Sequence, residues 1–101
     1  MTEIEVNASG WITPLDFYDA LLASLGAPGW HGKNVNALME SMMFGNINKV
    51  GPPMIVHVRN LNEAGEAAHA ALVEAFGVLT TEGALLTLNR VSATLETAPP
   101  R

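Results

Sequence analysis

Apolar and polar residues alternate over the first eight positions, with Ile4, Val6 and Ala8 in register, the period-two pattern of a short strand. Ser9-Gly10 turns the chain. Thr13 is placed to cap a helix, because Pro14 suits the first helical position and Asp16 falls near the positive end of the helix dipole. Leu15, Tyr18, Leu21, Leu22 and Leu25 then recur at helical spacing and predict one buried face, with Gly26 and Pro28-Gly29 as the stop. Asn34 predicts the start of a second helix running to about Phe44, ended by Gly45. After a polar connection, residues 53–58 form a near-continuous apolar strand of the kind buried on both faces.

Asn62 is read as the cap of a third helix over about residues 63–78, whose Ala67, Ala70, Ala71, Leu72, Val73 and Phe76 supply a small-residue packing face. Glu82-Gly83 breaks that helix, and residues 84–88 read as a last buried strand. Residues 91–101 run into Pro99-Pro100 and are expected to be a flexible tail, which leaves a single domain over residues 1–90. The resulting order is β-α-α-β-α-β. Helical crossovers between strands predict an α/β fold: a three-stranded parallel β-sheet, right-handed in its connections and packed with about three helices.

Composition narrows the function classes. A chain of 101 residues with 49% hydrophobic and 15% charged residues can build one packed core. No apolar run is long enough to cross a bilayer, and the acidic N-terminus is unlike a secretory signal, so no membrane association and a cytoplasmic location are expected. With no cysteine there is neither a disulfide framework nor a thiolate metal site. The formal charge of −5 argues against nucleic acid as a ligand and favours a basic protein partner.

The densest chemistry lies in residues 28–44. Trp30-His31-Gly32 brings a large aromatic and a glycine, which allows close approach, to the lip of the second helix. On that helix Val35, Leu38 and Met42 share a face expected to pack on the sheet. Asn36, Met39, Glu40 and Met43, at i, i+3, i+4 and i+7, form a second strip holding one carboxylate and two adaptable methionines, and Phe44 continues it. The candidate partner-binding residues are therefore Trp30, His31, Gly32, Val35, Asn36, Met39, Glu40, Met43 and Phe44.

This block, with the element order around it, resembles the barstar family of small intracellular ribonuclease inhibitors. The resemblance spans roughly residues 2–89 and is specific only in the central block. It implies that the loop and second helix plug a nuclease active site, and that Glu40 stands where a family carboxylate enters the phosphate pocket. It also implies a protein that is monomeric when free and acts as an immunity protein or antitoxin. Asn36 stands where the family pattern has an aspartate, Met39 where it has a tryptophan, and Lys33 where it has a glutamate. Val78 replaces a further glutamate, and counting Lys33 against Glu40 leaves residues 28–44 net neutral. A non-inhibitory interaction module on the same scaffold is thus the second expectation.

Catalysis is the weakest reading. His31, His57 and His69 are scattered over a loop, a strand expected to be buried and a helix, and no nucleophile–base order, phosphate loop or metal-ligand spacing appears. No catalytic residue, cofactor or metal ligand is expected.

Overall fold

Three helices cover one face of a mixed four-stranded sheet in the computed structural model, which describes residues 1–99. The strands are β1 (Thr2–Asn7), β2 (Met54–Arg59), β3 (Leu85–Leu88) and β4 (Ser92–Thr97), in the spatial order β1-β2-β4-β3. The helices are α1 (Pro14–Leu25), α2 (Val35–Met39) and α3 (Glu66–Thr81), and α2 continues directly into a π-helical turn, Glu40–Phe44.

The expected three-stranded parallel sheet is corrected by the fourth strand. β1 and β2 pair in parallel, but β4 lies antiparallel between β2 and β3, with Val56 opposite Leu95 on one side and Leu86 opposite Leu95 on the other. β1, β2 and β3 still run in one direction, as crossover helices require; β4 reverses after β3 and fills the gap. The reversal is built by Asn89, whose Oδ1 accepts from the backbone N–H groups of Val91 and Ser92 at 2.9 Å. Most of the segment expected as a flexible tail is therefore a central strand. Its Ala93, Leu95 and Thr97 point into the core while Ser92, Thr94 and Glu96 point away. Only Pro100 and Arg101 of that expectation lie outside the described residues.

The core forms where the helix faces meet the inner side of the sheet. Phe17, Leu21 and Leu25 of α1, Leu72, Phe76 and Leu79 of α3, and Met54, Val56 and Leu95 of the sheet are all fully buried. Trp11, Phe17 and Phe76 meet edge to face, with ring centroids 5.6 and 5.8 Å apart. The outer face is polar: His57 Nε2 lies 2.7 Å from Glu3 Oε1, and Arg59 pairs with Glu5.

This one-sided cover explains two further differences, at residues 84–88 and at His57. Residues 84–88 are not a buried strand but an exposed edge, with Leu85 68% and Leu88 43% accessible. His57, expected in a buried strand, faces outward beside Glu3. Leu15 is exposed at 49%, and Phe17 fills the core position instead. The capping box of α1 forms as its residues imply, with Asp16 Oδ2 accepting from Thr13 N at 3.0 Å and Asp16 N donating to Thr13 Oγ1. Asn62 does not cap α3, which starts after Gly65; residues Leu61–Glu63 make a separate 3-10 turn.

Candidate functional site

Asn34 sets the start of α2 by accepting from Ala37 N at 2.9 Å through Oδ1. The cap is possible because the preceding residue but one is glycine: a Cβ on Gly32 would lie 2.8 Å from Asn34 Nδ2. Loop residues 28–33 are held by three further contacts. His31 N donates to Pro28 O at 3.0 Å, closing a turn. Lys33 Nζ lies 2.7 Å from Asp19 Oδ1 and ties the loop to α1. The His31 ring points inward, Nδ1 2.7 Å from Gly32 O and Nε2 2.8 Å from Ser41 Oγ.

A carbonyl can only accept, so Nδ1 carries the ring proton and Nε2 accepts from the Ser41 hydroxyl in the neutral ring. His31 and Ser41 are both buried, so this pair joins the loop to the far end of the helix through the interior. The adjacent Trp30 points the other way and is 74% exposed.

From Glu40 onward the helix widens, and Gly45 N reaches back to Glu40 O at 3.2 Å, an i→i+5 bond. Each residue in a π turn advances around the axis by less than in an α-helix, so side chains late in the turn lag behind their α-helical positions. Met43 is thereby turned into the core beside Met42, and Phe44 is thrown outward to 55% exposure. Gly45 ends the turn with φ 85° and ψ −167°, a conformation closed to other residues.

The candidate residues thus divide. Trp30, Asn36, Glu40 and Phe44 are exposed, and Val35, Met39 and Gly32 are half-buried behind them; these share the outer surface of the loop and helix. His31 and Met43 are buried and do not present their side chains to a partner. Glu82, which follows α3, was not singled out as a contact by the sequence pattern. It joins Phe44, Met43 and Gly83 around a shallow cleft at the end of the π turn. Among the described residues no three His, Asp or Glu side chains converge as a metal site, and no helix is long and apolar enough to cross a membrane.

A family model described as Barstar (barnase inhibitor) matches residues 1–95 of the chain. No curated protein and no solved structure gives a significant match.

Proposed function

The chain belongs to the barstar family, and from that premise we propose that it binds and occludes the active site of a basic ribonuclease or toxin through loop 28–33, α2 and the π turn. The observation that carries this reading is the exposed row Trp30, Asn36, Glu40 and Phe44, backed by half-buried Met39 on a scaffold anchored from inside by His31–Ser41. A monomeric protein does not spend a 74%-exposed tryptophan and a 55%-exposed phenylalanine on its own core. Aromatic anchors around a single carboxylate are what a cationic, phosphate-binding pocket would accept. Glu40 is the group that enters that pocket, and Trp30 supplies apolar contact beside it.

The test is capture of ribonuclease activity by the immobilised chain from lysate of its source organism, with purified barnase as a defined second target. Wild type should retain and inhibit a basic nuclease, while Glu40→Ala and Trp30→Ala should each release it, losing more affinity than stability. Equal retention by all three proteins would remove the site from this surface.

One observation favours a second reading. Asn36 and Met39 leave Glu40 as the single charge on the helix strip, which suits a partner less cationic than a nuclease active site. Stable binding of a protein without nuclease activity, lost in Trp30→Ala and kept in Glu40→Ala, would select that module.

A further inference from the structure

The contact surface does not stop at Phe44. Beyond the cleft that Phe44 and Glu82 line, Gly83, Ala98 and Pro99 form a shared wall with a second, larger cavity of about 230 Å³. That cavity is walled by Met1 and Leu85, with Glu96 at its side. Leu85 and Glu96 are cross-strand partners of the β3–β4 pair, so their side chains rise together on the outer face of the sheet. Of its wall, Met1, Gly83 and Leu85 lie within the stretch that the family model matches, and residues 96–99 lie beyond it.

We propose that the groove is an accessory subsite for a protein partner, taking one aromatic or long aliphatic side chain whose sequence neighbour is Lys or Arg. Size argues for a single side chain: a cavity of roughly 150 Å³ accommodates a benzene ring, whereas cofactor-sized ligands need about 300 Å³ or more. The walls are apolar where the side chain would sit, with Leu85 68% exposed and Met1 equally so. Charge argues for the flanking cation. Glu82 and Glu96 stand at the two ends of the groove, and among the described residues neither has an ion-pair partner. The groove is also continuous, through Phe44, with the surface proposed above. That the partner is the same basic protein rests on that earlier reading; the recognition chemistry of the groove does not.

The test is an NMR titration of the full chain with the blocked dipeptide amides acetyl-Phe-Lys, acetyl-Ala-Lys and acetyl-Phe-Glu in the millimolar range. Acetyl-Phe-Lys should shift the amides of Gly83, Leu85 and Ala98 saturably, and each control peptide should bind about tenfold more weakly. Leu85→Glu and Glu96→Lys, both surface changes at an exposed strand pair, should weaken acetyl-Phe-Lys by a similar factor, whereas Glu40→Ala should leave it unchanged. Absence of saturable shifts at those amides overturns the proposal, as do equal shifts from all three peptides. The two readings fail separately: losing nuclease capture leaves the titration intact, and losing the titration leaves the Glu40→Ala effect on capture intact.

Discussion

Ser41→Ala tests whether the loop that presents Trp30 is locked from the interior. The substitution removes one oxygen from a residue with no exposed surface and leaves His31 Nε2 facing the space it occupied, 2.8 Å away. His31 is itself only 6% exposed, so water does not readily replace the lost donor. A buried polar atom left without its partner costs about 1–3 kcal/mol. For a domain of this size each kcal/mol lowers Tm by roughly 4–8 °C, so a fall of about 10 °C is expected. The alternative Ser41 acceptor, Leu38 O at 3.4 Å, is a helix carbonyl and loses little.

Thermal unfolding followed by circular dichroism measures the fall, and the double variant His31→Phe/Ser41→Ala assigns it. Removing both polar partners relieves the orphaned nitrogen, so the second substitution should recover part of the loss, a coupling of about 0.5–3 kcal/mol. Amide exchange at residues 29–33 should accelerate in Ser41→Ala, and partner affinity should fall although no contact residue has changed, because a loosened loop must be ordered on binding. A Tm for Ser41→Ala within about a degree of wild type would refute the lock, given the cost attached to a buried unpaired group.

Three other substitutions probe neighbouring links. Trp30→Ala should cost at most about 1.5 kcal/mol of stability, since only about a quarter of a ~250 Å² side chain is buried. Its binding loss should nonetheless reach about 2 kcal/mol, some thirtyfold in Kd, and Leu38→Ala should show the reverse ranking. Gly45→Ala should destabilise by about 1–3 kcal/mol, because φ 85° with ψ −167° is closed to alanine and its Cβ would meet Pro52 Cδ at 3.3 Å; Gly45→Asn should not rescue it, as this is not the left-handed helical region. Asp16 has its carboxyl held below the ordinary value of 3.8, first by the backbone N–H of Thr13 and then by that of Ile12. Its contribution is therefore complete above that value and fades as pH falls through the lower folded-state value, so urea titrations of Asp16→Asn should show a flatter acid limb than wild type.

What could be read from the chain was whatever a local pattern encodes. Thr13, Pro14 and Asp16 specify a helix start within four residues, and Asn34 specifies another; both form as the residues imply. β4 had a readable signal too, in the alternation of Ala93, Leu95 and Thr97 with Ser92, Thr94 and Glu96. The closing Pro99-Pro100, which reads as a frayed end, masks it. The apolar run at 84–88 reads as buried from its composition, but it is the edge of a sheet covered on one face only. The π turn had no local code. A helical wheel places Met43 on the outer strip, and only the i→i+5 bond ending at Gly45 turns it inward and puts Phe44 in its place. Nor does any spacing say that, of the adjacent Trp30 and His31, the first faces solvent and the second faces Ser41.

The charge of the candidate surface shows the same limit with functional consequences. Over residues 28–44, Lys33 cancels Glu40 in the count of charges, and the segment reads as neutral. In the fold Lys33 is bound to Asp19 of α1 at 2.7 Å, so its cation already has a carboxylate partner elsewhere. Such a half-exposed pair adds little to stability, typically below about 1 kcal/mol, but it settles which charge faces which neighbour. Glu82, remote in sequence, stands beside Phe44 at the other end of the helix. The surface proposed for the partner is therefore acidic at Glu40 and again at Glu82, which lines a cleft with Phe44. Segment arithmetic hides that polarity because it counts a cation that faces α1 and omits a carboxylate supplied by the end of α3. A Lys33→Ala variant, which frees Asp19 and removes the cation, should raise the association rate with a basic partner at low salt. The effect should disappear once the Debye length drops to about 3 Å, near 1 M salt. An unchanged rate would mean that the approach is governed by charges outside this surface.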